Sequence, residues 1–197
     1  WSARHDLAMP FRVQAGSSQD NPDANQWPQG PVRWAQQRRG LSRSRLQSTP
    51  ESHGSLGLPM YLQWTSPIRR YSDLLAHRQW LQFSGHLAGD PLKAEAIATL
   101  LQQVEQSQRE ASLISRQDQR MALLEWLAGP SPQWPQPGVL LSWLREDIGI
   151  GLVRLEAWAM ELPVQIDEAL GLGDPLIVQL ERVDPATDLL RLKGTGG

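Results

Sequence analysis

The chain has 197 residues, of which 40% are hydrophobic and 20% charged, with a formal net charge of −2. This balance is typical of a folded globular protein and excludes a disordered tail, and it is not the strongly basic balance of many nucleic-acid-binding domains. The absence of cysteine excludes a disulfide scaffold, a thiol nucleophile and a cysteine-ligated metal site, and no apolar run reaches 18 residues.

The first elements along the chain are short. The segment WSARHDLAMPFRV is typical of a helix end that leads into a strand, and because it opens on Trp1 we expect the chain to be a piece of a longer protein. Residues 17–31 have the Pro, Asn, Asp, Ser and Gly content of a loop. PVRWAQQRRGLSRSRLQS predicts a short basic helix, and MYLQW predicts a strand. Arginine is frequent and acids are scarce between Arg33 and Arg78, so this stretch could meet phosphates.

Two helices are predicted next. Pro67 disfavours helical geometry at the residue before it, so a helix should start between Pro67 and Ser72, with Arg69 and Arg70 on its first turn. Its apolar stripe consists of Leu74, Leu75, Trp80 and Leu81. The pair Asp90-Pro91 then signals the start of a long helix, in one or two pieces, that ends at Gly129.

The last third of the sequence has a different pattern. GPSPQWPQPG carries four prolines in ten residues and predicts a linker. Five short apolar runs follow, each bounded by Gly, Asp or Pro: VLLSWL, IGLVRL, AMELPVQI, PLIVQLERV and DLLRLKG. Runs of this length at this spacing predict a small barrel or sandwich.

The arginine pair in TSPIRRYSD has two interpretations from local physics. In the first, the segment is only a helix start, capped by Thr65 or Ser66, and both arginines are solvated. In the second, arginines at the positive end of a helix dipole indicate a nearby anion, and Arg69 and Arg70 form a phosphate site.

The segment HGSLGLPMYLQWTSPIRRYSDLLAHRQW resembles the signature of the ribonuclease II and ribonuclease R exoribonucleases. The matching residues are His53, Leu56-Gly57, Tyr61, Thr65 to Tyr71, Asp73 and His77-Arg78. The resemblance implies an α+β chain. It comprises the C-terminal part of an RNB-type catalytic domain, mainly helical, over residues 1–128, a proline-rich linker over 129–137, and an OB-like RNA-binding barrel over 138–197.

The resemblance also implies a function. It is hydrolysis of single-stranded RNA from the 3′ end to nucleoside 5′-monophosphates. Apart from the resemblance, the lack of cysteine and of a long apolar run leads us to expect a cytoplasmic location and no membrane partner, and we expect a monomer. Arg69 would be catalytic, and Thr65, Ser66 and Arg70 would contact RNA. Tyr61, Tyr71, Asp73 and His77 would support them. Magnesium is expected in the complete enzyme, but no metal ligands are identified in this sequence, which lacks the aspartate cluster of the family, so this chain alone should be inactive.

Several alternatives stay open at this stage. Asp73 and His77 could form an acid–base pair, but we favour a role in tying the helix to its neighbours and orienting the arginines. Most tryptophans fit core packing better than base stacking, with Trp64 left open. The barrel segment is poor in basic and aromatic candidates, so it could be a packing domain. The whole chain could also be a non-catalytic RNA-binding or regulatory protein, or a helical interaction module without RNA affinity.

Overall fold

A computed structural model describes residues 5–16, 26, 27 and 29–196. These residues contain three α-helices, several three-residue 3₁₀ helices and seven strands. The helices are α1 (Pro31–Arg39), α2 (Tyr71–Phe83) and α3 (Ala94–Ala128). The strands are β1 (Phe11–Val13), β2 (Arg45–Gln47), β3 (Gln136–Arg145), β4 (Ile150–Leu155), β5 (Met160–Ile166), β6 (Pro175–Asp184) and β7 (Leu189–Gly196). The predicted α+β class, a mainly helical part followed by a small OB-like barrel, is confirmed.

The chain folds as two compact units. The first comprises Trp1–Asp20 and Gly40–Leu113, and the second comprises Asn21–Arg39 and Ile114–Gly197. Helix α3 contributes its first twenty residues to the first unit and the rest to the second. The predicted domains, residues 1–128 and 138–197 with a linker between them, stay a prediction. They divide the chain into consecutive segments, whereas each compact unit combines two segments that are separate in the sequence.

The first unit places α2 and α3 against a two-stranded antiparallel sheet. Phe11 pairs with Gln47 and Val13 with Arg45 across β1 and β2. Two buried clusters fill this unit, one of Leu7, Met9, Phe11, Val13 and Ala76, and one of Leu46, Leu75, Ile97 and Leu101. The predicted basic helix is shorter than expected, because α1 ends before Gly40 and the segment beyond it contains β2. MYLQW forms a single bridge, between Leu62 and Phe11, and no strand.

Helix α3 is one continuous helix that ends just before Gly129, as predicted. Its start differs from the prediction, because the first helical residue is Ala94 and residues 91–93 have no regular secondary structure. The cause is the buried side chain of Gln79. Its amide nitrogen donates to the Leu92 carbonyl (2.9 Å), and the Leu92 N–H donates to its oxygen (2.8 Å). These two bonds satisfy the Leu92 backbone outside the helix.

The five predicted strand segments form a closed barrel in the order β3-β4-β5-β7-β6. All strand pairs are antiparallel except β5 with β7, and this is the five-stranded topology of the OB-fold. The barrel core is apolar and consists of Leu140, Val153, Leu155, Leu162, Val164, Ile166, Leu176, Val178 and Leu192. At Gly151 a Cβ would lie 2.6 Å from Leu140 Cδ1 and 2.9 Å from Ile166 Cδ1, so any larger residue would require these core side chains to move.

Helix α1 packs on the barrel within the second unit. The buried Gln36 donates its side-chain amide to the Leu141 carbonyl at 2.9 Å. Arg38 forms a two-pronged ion pair with Glu161 of β5, at 2.8 and 2.9 Å. No described helix has the combined length and apolar character that a membrane span requires.

We expect Gln36→Ala to lower the free energy of unfolding by about 1–3 kcal/mol, because it leaves the Leu141 carbonyl buried without a donor. Denaturant unfolding measures the change. The matched control is Gln37→Ala, since Gln37 is exposed on the same helix and should change stability by less than about 0.5 kcal/mol. Equal effects of the two substitutions would contradict a specific role for the Gln36 hydrogen bond.

Candidate nucleic-acid interface

The two arginines of the TSPIRR segment lie in a turn that precedes α2. The N–H groups of Arg69 and Arg70 both donate to the Ser66 carbonyl, at 3.2 and 2.9 Å. Helix α2 begins at Tyr71, within the predicted range, but Arg70 is its extended N-cap residue (φ −124°, ψ 109°). The prediction that the arginines occupy the first helical turn is therefore wrong. The predicted cap by Thr65 or Ser66 is also wrong, because α2 has no side-chain cap.

Asp73 holds this turn in place. Its side chain is completely buried, and Oδ2 accepts from the Ser66 N–H at 2.9 Å and from Arg70 Nε and Nη2 at 3.1 and 2.7 Å. Ser72 Oγ donates to Oδ1 at 3.3 Å. Arg70 Nη2 also donates to Thr65 Oγ1 at 3.2 Å. The guanidinium of Arg70 is thus committed to the turn itself.

Arg69 has the opposite environment. Its side chain is exposed, and among the residues that the structure describes it has no hydrogen bond or ion pair. It lines an open groove of about 380 Å³ together with Tyr71 and one face of α3. The fixed turn therefore presents one uncommitted guanidinium to a groove, which suits an anionic ligand.

The other predicted residues surround the turn. His77 Nε2 lies 2.8 Å from the Trp64 carbonyl, and the two rings stack with centroids 4.1 Å apart. The Tyr61 ring meets His53 edge to face at 5.2 Å. These contacts give His77 and Trp64 a packing role beside the turn, whereas Tyr71 is about half exposed and faces the groove with Arg69.

The α3 wall of the groove was missed by the sequence reasoning. It consists of Leu100, Gln103, Val104, Ser107, Gln108 and Ala111. Counted from Leu100, they lie at i, i+3, i+4, i+7, i+8 and i+11, which places them on one side of a helix. That spacing is visible in the sequence, but nothing in the sequence shows that this side faces Arg69.

The described residues do not fit a magnesium centre. They contain no group of three or more His, Asp or Glu side chains close enough to hold a metal ion. Asp20 and Asp23, in the segment predicted as a loop, lie outside the described residues. The expectation of magnesium therefore concerns a complete enzyme and stays a prediction.

The basic side chains of the barrel are mostly paired with acids. These pairs are Arg145–Asp147, Arg154–Glu156 and Lys193–Asp167. Glu161 of the barrel pairs with Arg38 of α1. The hydrogen bond from Arg145 lowers the pKa of Asp147, and the one from Lys193 lowers the pKa of Asp167. Arg182 and Arg191, directly opposite on β6 and β7, are exposed and have no acidic partner within 4 Å in the described chain. Whether the barrel binds RNA stays open.

The sequence matches known ribonucleases over its length. Residues 19–85 match the model of the RNB domain. An uncharacterized ribonuclease of Synechocystis sp. is 40% identical over 96% of this chain and 28% of its own length. Ribonuclease II, chloroplastic/mitochondrial, of Arabidopsis thaliana is 27% identical over 98% of this chain and 24% of its own length. The chain therefore spans about a quarter of the length of these relatives.

Solved structures share the fold at low identity. The Dss1 exoribonuclease active site mutant of Candida glabrata superposes with a TM-score of 0.80 at 18% identity, over 99% of this chain and 26% of that one. Mycoplasma genitalium RNase R in complex with ribose methylated single-stranded RNA superposes with a TM-score of 0.68 at 18% identity, over 98% of this chain and 38% of that one. Yeast Ssd1, a pseudonuclease, superposes with a TM-score of 0.54 at 16% identity, over 94% of this chain and 28% of that one. By sequence and fold together, the chain belongs to the RNB-domain ribonucleases of the ribonuclease II and ribonuclease R type, and it corresponds to a part of their length.

Proposed function

We propose that this chain is part of an exoribonuclease that hydrolyses single-stranded RNA from its 3′ end to nucleoside 5′-monophosphates. Arg69 is the residue that holds the scissile phosphate. The observation that carries the proposal is the contrast within the arginine pair: Arg70 is bound by a buried carboxylate, and Arg69 is exposed beside a groove. The family relationship supplies the class of reaction.

The chemistry of Arg69 follows from its position. A guanidinium has donors in a planar fork and engages two phosphate oxygens at once, which a lysine ammonium does not do. Charge develops on the phosphoryl oxygens during hydrolysis, and a positively charged donor placed beside them stabilises that charge. The turn held by Asp73 fixes the backbone of Arg69. Thr65 and Ser66 are further proposed contacts of the RNA backbone, and Arg70 would join them only through Nη1, the one guanidinium nitrogen that its bonds to Asp73 and Thr65 do not use.

Metal chemistry belongs to the complete enzyme. In a complete enzyme, magnesium held by residues outside those described would orient water and offset charge on the transferring group. The described residues of this chain do not form such a site, so the part proposed for them is to bind and position the phosphate. A cytoplasmic location and a monomeric state complete the proposal, and the lack of cysteine is consistent with a reducing compartment.

A second function is a non-catalytic RNA-binding or regulatory protein that retains the arginine turn. Two observations favour it: the described residues carry no acidic cluster, and the fold also occurs in Ssd1, a pseudonuclease. In this alternative, Arg69 still contacts a phosphate of the RNA, but the protein does not hydrolyse the RNA.

The two functions differ in what happens to bound RNA. We expect the complete protein to shorten a 5′-labelled single-stranded RNA and release nucleoside 5′-monophosphates in the presence of magnesium, and EDTA should stop the reaction. Chromatography of the products measures this. Salt-dependent binding of the same RNA without any decay would establish the alternative.

The coding sequence upstream of Trp1 provides an independent check. An open reading frame that encodes a cluster of aspartates would support the exoribonuclease. A start codon at this point without such a cluster would support the binding protein.

A further inference from the structure

We infer that the exposed side of α1 is a contact surface for single-stranded RNA, in which Trp34 stacks on a base and Arg38 binds a phosphate of the same strand. This inference rests on the proposed function, because it takes the partner to be RNA. It concerns the second compact unit, and it assigns roles to two residues outside the TSPIRR segment.

Helix α1 is anchored on the barrel by its buried side. Gln36 is buried, and its side-chain amide donates to the Leu141 carbonyl at 2.9 Å. Trp34, Gln37 and Arg38 follow the i, i+3, i+4 spacing that places side chains on one side of a helix, and all three are exposed. The anchored helix therefore presents these three side chains to solvent together.

Helix α1 reaches the face through which OB-folds bind oligonucleotides. That face belongs to the second and third strands of the barrel, here β4 and β5. Arg38 bonds to Glu161 of β5, which lies opposite Arg154 of β4 in the strand register. Arg154 is the one basic residue of these two strands and lies 3.3 Å from Glu156, and neither strand contains an aromatic residue. The two strands thus offer neither a stacking ring nor an unpaired cation, and α1 brings a ring and a guanidinium to them.

The exposed side of α1 has the chemistry of a single-strand RNA contact. The Trp34 side chain is 56% exposed, and an aromatic ring can stack on any base. Both bonds from Arg38 to Glu161 use Nη2. In the part of the chain that the structure describes, Nε and Nη1 of Arg38 are therefore available to phosphate oxygens. Gln37 adds an amide that both donates and accepts.

Charge and the surroundings of Trp34 favour RNA over a protein partner. Helix α1 contains Arg33, Arg38 and Arg39 and no acidic residue, so its charge suits a polyanion. Protein-binding surfaces are marked by contiguous apolar patches, whereas Trp34 lies between Gln37 and Arg38 on its side of the helix. One ring among amide and cationic side chains suits a base and its phosphate.

Binding of short RNAs to the 197-residue chain tests the inference. Fluorescence anisotropy would compare an adenosine octamer with an abasic octamer over a series of salt concentrations. We expect Trp34→Ala to lose about tenfold in affinity for the adenosine octamer and to bind the abasic octamer like the parent chain, and Trp34→Phe to keep most of the affinity. The matched control is Leu87→Ala, because Leu87 is an exposed apolar residue of the first compact unit.

The phosphate contact is tested on both members of the ion pair. Arg38→Gln should lower affinity for both octamers and reduce the salt dependence by about one phosphate contact. Glu161→Gln breaks the same ion pair but removes a competing negative charge, so it should raise affinity for both octamers. Equal losses in the two variants would show that the pair only holds α1 in place, and would overturn the role of Arg38.

A comparison with Arg69→Ala separates this inference from the proposed function. If Arg69→Ala weakens binding while the Trp34 and Arg38 variants match the control, the α1 surface is refuted as an RNA contact and the phosphate role of Arg69 stands. If Trp34→Ala weakens binding and Arg69→Ala does not, the α1 surface stands and the role of Arg69 falls. If the parent chain binds neither octamer at low salt, both fall.

Discussion

Replacing Asp73 with alanine is expected to destabilise the protein by about 3 kcal/mol and to release the turn that carries Arg69. Removing one partner of a buried ion pair costs about 3–5 kcal/mol, because the other charge is left uncompensated. The value at the low end applies here because the Arg70 side chain is 22% exposed and keeps some contact with water. Denaturant unfolding measures the loss.

The size of this effect follows from the number of bonds that end on one carboxylate. Ser66 N–H and two nitrogens of Arg70 donate to Oδ2, and the Ser72 hydroxyl donates to Oδ1. Alanine removes all four acceptor contacts. Asp73→Asn keeps the shape of the side chain and one acceptor oxygen, so this variant should be more stable than Asp73→Ala and less stable than the parent protein.

An exposed ion pair gives the matched control for this prediction. Arg45 and Glu51 lie 3.5 Å apart with side chains 65% and 56% exposed, so Glu51→Ala should change stability by less than about 0.5 kcal/mol. A loss at Asp73 no larger than the loss at Glu51 would show that the buried carboxylate does not hold the turn.

Periodicity in the sequence predicted the larger elements correctly and the irregular ones poorly. The five apolar runs after residue 138 form five strands, and the long helix predicted to end at Gly129 is α3, because each of these elements extends over enough residues to bury one face. The start of α3 was misplaced because it depends on Gln79, which comes from another helix. The three-residue strand β2 is set by pairing with β1, and such pairing leaves no periodic signal.

The candidate site shows the same limit at the level of single residues. The motif drew attention to Arg69 and Arg70 as an equivalent pair on a helical turn. The extended backbone at Arg70 and the buried Asp73 give them different roles, and only tertiary structure contains that distinction. The preference for Asp73 and His77 as residues that orient their surroundings agrees with their contacts, whereas the groove wall of α3 could not be assigned without the packing of α2 and α3.

Replacing Arg69 with lysine in the complete protein should lower turnover on single-stranded RNA by about 100- to 1,000-fold. Lysine keeps the positive charge, so attraction of the RNA backbone survives and the dissociation constant should change by less than about threefold. What lysine lacks is the planar fork that engages two phosphate oxygens while charge develops on them. Single-turnover hydrolysis and equilibrium binding, measured on the same preparation, separate the two effects.

The matched control is Arg78→Lys, which makes the same chemical change at an exposed position on α2 outside the groove. It should leave turnover within about twofold of the parent, because an exposed arginine without a ligand contributes little beyond its charge. Parental turnover in Arg69→Lys would show that the fork is not used in the transition state. A loss of RNA binding equal to the loss of turnover would instead make Arg69 a binding residue, since an interaction made equally with substrate and transition state changes affinity and leaves the chemical step unaltered.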